Sequence, residues 1–427
     1  MSKLFTATDI HQLMNELVEQ ATGQKNIAVI DASSFVSAGE LVLATGTENT
    51  LNSLGIVVGR RRAAVRPYDA KLKNIDAENS ELYSNVLLKD SFYSRPAQAS
   101  GAFNTDLYTN LQTGFTAGEN IGGSPAAPQS TKSQWEQNLP VALEMNFGVR
   151  DTWQDCSTIP EIQIQQAFRD EASFNEFVSG YMMERNNDLE SQKEGFNRMA
   201  LLDHIAAVYD FSAKMPGSVV NLTSEFNTEF GTNYTSAQLR TTYLKEFLEF
   251  FTAKLKIDSD RMTNRSLRYH WSPAKQVGGV DYVLLRHTPK DRQKLFLYSP
   301  LFVKAQSYVF PEIFNPQYLD IKNYEGVNFW QNELDPASID FIPALPDETT
   351  GIQTVGDEVE IPYMVGMLFD RDGLMIDYQL DSATSTPVEA RKHYRNLWYT
   401  YAKGVNSDLT ENCIIYFMKD PEVTPGD

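Results

Sequence analysis

The sequence predicts an α+β protein, and three observations carry that reading. Apolar residues recur at helical spacing in some stretches and crowd into short β-branched and aromatic runs in others. The two kinds do not alternate as strand, helix, strand, so no regular parallel βαβ sheet is implied. With 427 residues, 42% apolar and 11% aromatic, the chain can bury a sizeable core, and wholesale disorder is excluded.

The elements follow in order. Residues 10–21 form an amphipathic helix, with Thr6 or Thr8 as cap, apolar positions at Ile10, Leu13, Met14, Leu17, Val18 and Ala21, and Gly23 as stop. Alone it would be marginal in water, so its apolar stripe needs a partner surface, in the same chain or in a neighbour. The runs "ELYSNVLLKDSFYSRP" and "LPVALEMNFGVRDTWQD" read as two strands. Between them Ala117–Lys132 is rich in Gly, Ser and Pro and too poor in apolar residues to order itself. Both an extended arm with a flexible tip and a surface hairpin with a long loop fit this pattern.

Ser173 to Tyr209 contains no proline and carries apolar residues at helical spacing throughout. A continuous helix there would reach about 55 Å at 1.5 Å per residue, with Gly180 and Gly195 as possible bends. Its middle, "MERNNDLESQKE", is polar on nearly every side, which predicts exposure or contact with another subunit. Ser236–Lys256 is a second strong helix, and its "KEFLEFF" reads as a core stripe. Strand-like runs follow at "DYVLLRH", "QKLFLY", "SIDFIPAL", "EIPYMVGMLFD", "LMIDYQL" and "ENCIIYFM".

Charge narrows the function. The net charge is −19, which disfavours a general nucleic-acid coat, because phosphate binding needs a broad basic face. Against this, "GRRRAAVRPYDAKLK" (Gly59–Lys73) holds Arg60, Arg61, Arg62, Arg66, Lys71 and Lys73 with one acid, Asp69. It carries +5 and leaves −24 on the rest. No apolar run approaches the roughly 18 residues of a membrane span, and the start has no secretory signal. Cys156 and Cys413 lack metal-ligand spacing and are expected to be reduced and buried or half-buried. These features imply a protein made in a reducing cytoplasm.

No catalytic pattern emerges. G-x-S-x-G, the phosphate-cradling G-x-x-x-x-G-K-[ST] and H-E-x-x-H are all missing. "DRDG" (Asp370–Gly373) has the wrong spacing for a calcium loop and reads as a strand-to-strand turn. His204, beside Asp203 on the long helix, reads as a solvated or locally paired histidine. The expectation is no enzyme, no cofactor and no metal.

Two regions carry a resemblance. "SPLFVKAQSYVFPEIFNPQYLDIKNYEGVNFWQ" (Ser299–Gln331), and the later series Asp370–Asp372, Thr386–Ala390, Tyr394–Trp398 and Asp408–Phe417, resemble segments of tailed-bacteriophage major capsid proteins. Glu389 departs from that pattern, where Asn is expected. "VVGRRRAAVRPYDAKLK" and "IPEIQIQQAFRDEASFNEFVSGY" match the same family in the same order. The resemblance implies the Hong Kong 97-type capsid fold: an N-terminal arm (1–58), an extended β-hairpin E-loop (59–160), a P-domain with a long spine helix (161–210 and 385–405), and an A-domain (211–384 and 406–427). It further implies a shell of hexamers and pentamers around double-stranded DNA, assembled in the bacterial host cytoplasm with portal and scaffolding proteins. Contact with packaged DNA would be weak and non-specific, and no membrane is involved. An encapsulin-like compartment shell and a cytoplasmic Asp/Glu-dependent hydrolase are the alternatives. Within the capsid reading, Arg60, Arg61, Arg62, Arg66, Lys71 and Lys73 sit at the root of the E-loop and face acidic surface on an adjacent subunit.

Overall fold

The computed structural model describes residues 171–277, 280–308, 323–347, 352–389 and 391–420, the segments 87–94, 139–147 and 151–160, and scattered positions from 14 to 76. Its core is a five-stranded mixed sheet. The strands are β4 (Val219–Asn221), β7 (Gln293–Tyr298), β8 (Asn323–Val327), β13 (Met364–Asp370) and β16 (Cys413–Phe417), in spatial order β4-β16-β13-β7-β8. β16 runs parallel to β4 and β7 parallel to β8, while both neighbours of β13 are antiparallel to it. Every residue of β7, β13 and β16 is buried, which explains their near-continuous apolar runs: a sheet covered on both faces needs no polar alternation.

The covers are helical. Adjacent strand residues point to opposite faces. Tyr416 meets Phe251 of α4 (Leu244–Met262) at 5.5 Å between ring centroids, and Phe417 meets Tyr209 of α1 (Glu171–Asp210) at 5.6 Å. So α4 covers one face and the C-terminal end of α1 the other. In α4, Phe247, Leu248, Phe250 and Phe251 are buried, as the core stripe requires. The short helices α2 (Leu222–Phe230) and α3 (Ser236–Thr241) lead into α4, and α5 (Ser299–Tyr308) follows β7 directly. Asn221 caps α2 by accepting from Thr223 N, and Thr235 with Gln238 forms a reciprocal capping box on α3.

α1 is a single helix of 40 residues, about 60 Å long. The helix continues through Gly180 and Gly195 without a break. Its last turns are buried nearly all round, from Ala200 to Val208. Its middle, from Arg185 to Asn197, lies on a second layer, the three-stranded antiparallel sheet β14 (Leu374–Ser385), β15 (Tyr394–Ser407) and β3 (Asp151–Pro160). The polar middle is not simply exposed. Arg185 is buried, bonded to Asp155 on β3 at 2.8 Å and set 4.6 Å over the Tyr399 ring. Leu189 and Glu190 are buried too.

The run expected as one strand, "LPVALEMNFGVRDTWQD", forms two. β2 (Ala142–Phe147) pairs antiparallel with β1 (Leu87–Phe92), whereas β3 pairs with β15. Gly148 sits between them, and a glycine inside a strand pattern weakens continuous pairing. Between β4 and β8 lie the small ladder of β5 (Lys275–Val277) and β6 (Val280–Tyr282); beyond β8 comes a bent ribbon in which β9 (Ile339–Phe341) pairs with β12 (Val359–Ile361) and β10 (Ala344–Pro346) with β11 (Gln353–Val355). "DRDG" makes the turn from β13 to β14, closed by Gly373 N donating to Asp370 O at 2.9 Å and Asp372 N to Asp370 Oδ1 at 2.9 Å.

In the N-terminal region, Met14 and Val18 are helical and fully buried, so those two members of the predicted stripe are covered within this chain. The tip segment 117–132 lies outside the described residues. Cys156 corrects an expectation: it is exposed, while Cys413 is buried. Cys156 occupies the outer face of β3, in register with Trp398, and the opposite face carries the residues that pack on α1.

Candidate functional site

No cluster of three His, Cys, Asp or Glu side chains among the described residues is arranged to hold a metal. No helix of the described residues is long and apolar enough to cross a membrane. What the fold positions instead is a set of polar joints where extended segments meet the core.

The first joint holds the root of the β1–β2 hairpin. Inward-facing Lys89 donates from Nζ to Asp408 Oδ2 and to Glu411 Oε1. Two residues on, Ser91 Oγ accepts from Arg286 Nη2 at 2.6 Å, and Arg286 also reaches Glu411 at 3.3 Å and the Thr410 carbonyl at 3.1 Å. Ser94 continues the seam: its N–H donates to Val283 O at 2.8 Å and its hydroxyl oxygen accepts from Arg265 Nη2 at 2.7 Å. The Asp408 side chain is 1% exposed, Glu411 9% and Lys89 20%. Burial by itself would lower the Lys89 pKa, but the two carboxylates outweigh it and hold the pKa above its ordinary value. Burial pushes the Glu411 carboxyl up, against the opposing pull of Lys89 and Arg286. Such a joint costs desolvation and in return accepts one geometry, because a displaced partner leaves a buried charge unpaired.

Beside it lies a second polar cluster. His270 Nε2 is 2.7 Å from the Leu284 carbonyl and Nδ1 3.1 Å from Asn412 Oδ1; Asn412 Nδ2 donates to Thr288 Oγ1 at 3.1 Å. Of the two readings of His204, solvated or locally paired, the solvated one does not hold. The side chain is fully buried, 2.9 Å from Ser407 Oγ, because α1 runs under the end of β15 there. Burial pushes its pKa down to about 4.

The second joint receives the end of the cationic segment. Lys71 is exposed, and its N–H donates to Glu194 Oε2 of α1 at 3.3 Å. Leu72 is buried with φ of 62°, the left-handed region that a non-glycine residue enters at a cost of roughly 1–2 kcal/mol. It is held there because its N–H donates to Glu325 Oε1 and its carbonyl accepts from Asn197 Nδ2 at 3.0 Å. Asn197 also bonds Asp76 Oδ1 at 2.9 Å and accepts from Tyr378 Oη at 2.9 Å. Arg60, Arg61, Arg62, Arg66 and Lys73 lie outside the described residues.

The first joint therefore fastens the hairpin to the Asp408–Glu411 loop and to Arg265, Val283 and Arg286, and the second fastens Lys71 and Leu72, at the end of the basic segment, to α1. A family model described as "Phi29-like phage major capsid protein" matches residues 150–417, the span that contains both sheets, α1 and the Asp408–Asn412 joint. The chain belongs to this family. As a phage major capsid protein it self-associates into the capsid of a virion, and the mixed helix-and-sheet architecture with its long α1 agrees with the expected Hong Kong 97-type fold. Among solved structures, it is similar to one titled "Capsid structure of Staphylococcus phage Andhra", at 11% identity and a TM-score of 0.48, covering 82% of this chain and 86% of the other. A second, "Asymmetric unit of bacteriophage PhiM1 mature capsid", is similar at 8% identity and a TM-score of 0.39, covering 83% and 88%. No curated protein matches the chain. Sequence reasoning recorded Asp408, Glu411 and Asn412 only as part of a resemblance. Lys89 and Arg286 carry no local signal, because their partners lie between 124 and 322 residues away along the chain.

Proposed function

We propose that this capsid protein builds hexamers and pentamers of an icosahedral shell enclosing a double-stranded DNA genome. Assembly takes place in the host cytoplasm with portal and scaffolding proteins, and without catalysis. The division into arm (1–58), E-loop (59–160), P-domain (161–210 and 385–405) and A-domain (211–384 and 406–427) belongs to this reading. So does the role of Arg60, Arg61, Arg62, Arg66, Lys71 and Lys73 as a clamp onto the acidic surface of the next subunit. The observation that carries it is α1: 40 residues shared between a core sheet and a three-stranded layer, with Trp153 and Trp398 of that layer 42% and 36% exposed. Extended parts and aromatic surface of this kind are poorly satisfied in one subunit and are covered when copies pack together. Net charge of −19 makes copies repel, so a local cationic clamp supplies an attractive, register-setting contact. It also leaves DNA contact weak.

The experiment is co-expression with the neighbouring head genes, followed by sedimentation and negative-stain microscopy. Closed particles of hundreds of subunits are expected. A chain that stays monomeric or dimeric at high concentration with its scaffold present would sink the proposal. Arg60→Glu, Arg61→Glu and Arg62→Glu together are expected to abolish particles while leaving the subunit folded.

A further inference from the structure

Between Lys322 and Arg371 the chain has ten Asp or Glu residues and no Lys or Arg. This stretch includes the bent β9–β12 ribbon, which packs on α1 and is pinned by Ala344 N donating to Asp203 Oδ1 at 2.8 Å. Glu333, Asp335, Asp340, Asp357, Glu358 and Glu360 are all exposed. Among the described residues, no lysine or arginine forms an ion pair with any of these carboxylates, and the hydrogen bonds given to Asp335 and Asp340 are made through their backbone.

Two features show that this lobe is not finished as a free surface. Glu360 on β12 stands directly opposite Asp340 on β9, and like charges facing each other across strands destabilise the pairing. The lobe also exposes apolar side chains: Leu334 at 92%, Val355 at 83%, Ile352 at 67% and Ile342 at 53%. A two-stranded ribbon is marginal by itself, and this one carries apolar side chains beside an open edge of the kind that pairs or is covered.

We infer that the acidic, apolar β9–β12 lobe is the docking surface for the cationic segment 60–73 of a second copy of this chain. This rests on the shell reading above and names the acceptor surface that reading left open. Charge complementarity argues for it: +5 in the segment meets the part of the chain that lacks any cation. The apolar side chains argue for a second copy rather than a small ion, since a cation would relieve Glu360 and Asp340 but leave Val355 and Leu334 uncovered. The contact is heterologous, one patch onto a different patch of the next subunit, the type that forms a ring when its rotation closes.

The test uses the full chain in two variants. One carries Arg60→Glu, Arg61→Glu and Arg62→Glu; the other carries Asp340→Lys, Glu358→Lys and Glu360→Lys. Thermal melts of the unassembled chains check folding. Each variant alone is expected to give at least tenfold fewer particles than the unaltered chain. An equimolar mixture is expected to restore particles containing both, because each segment then meets a lobe of opposite sign on its neighbour. Two outcomes overturn the inference while the unaltered chain still assembles. In one, the mixture stays unassembled. In the other, only a single chain bearing all six substitutions recovers, which places the contact within one subunit. An unaltered chain that never assembles overturns the shell reading and this inference together.

Discussion

Replacing Lys89 by Met should loosen the root of the β1–β2 hairpin without unfolding the core. Lys89 is the cation between Asp408 and Glu411, whose side chains are 1% and 9% exposed. Its loss leaves Arg286, 3.3 Å from Glu411, as the remaining cation of the joint, and Asp408 loses its ion pair. Breaking a buried pair by removing one partner costs about 3–5 kcal/mol. Because Lys89 is partly exposed, the lower end, about 3 kcal/mol, is expected. The other ties of 87–94 to the core, among the described residues, are hydrogen bonds at Ser91, Tyr93 and Ser94, worth about 1 kcal/mol each net, so the loss should appear as local opening. Hydrogen exchange of the unassembled chain reads this directly: amides of 87–94 and 142–147 should exchange roughly 100-fold faster, since 1.4 kcal/mol is tenfold. Amides of 364–370 and 413–417 should be little changed. Adding Asp408→Asn and Glu411→Gln to Lys89→Met removes the stranded charges and should recover most of the protection. Exchange of 87–94 within threefold of the unaltered chain would refute the reasoning, because the joint would then contribute nothing to holding the hairpin.

Two other outcomes are open to direct measurement. Burial holds the His204 pKa down to about 4 from 6.5, so below pH 6.5 the unfolded chain binds the proton and the folded one refuses it. Its share of stability is present above pH 6.5 and lost as pH falls toward 4, at up to about 1.4 kcal/mol per unit, or about 2 kcal/mol between pH 6.5 and 5. Urea unfolding across that range should show this slope, and His204→Gln should flatten it; an identical slope in both would contradict the assignment. With thiol reagent, the native unassembled chain should titrate one cysteine, exposed Cys156, because Cys413 is buried and its thiol pKa is pushed well up. Two should react in urea, and two reacting without denaturant would show that β16 is not closed.

Much of the architecture could be read along the chain. The 40-residue helix, the α4 stripe and the β7, β13 and β16 runs are local patterns, and each reports its own periodicity and burial. Glu184 to Glu194 is exposed only in part, at Glu184, Asp188, Ser191 and Gln192, while Arg185 finds Asp155 and Tyr399 across the β3–β15 pair. Periodicity carries no information about such distant partners. The same holds for Cys156, whose exposure depends on which face of β3 meets α1.

By itself the sequence determined the class, the long helix, the strand runs, the lack of a catalytic motif and the concentration of positive charge at 60–73. Those follow from spacing and composition, which act between near neighbours in the chain. Only the tertiary structure decided that Lys89 closes on Asp408 and Glu411, that Leu72 takes a left-handed turn under Glu325 and Asn197, and that Asp340 faces Glu360 on an exposed ribbon. Each of these joins residues far apart in sequence, and their energies depend on burial and strand register, which exist only once the sheets have paired.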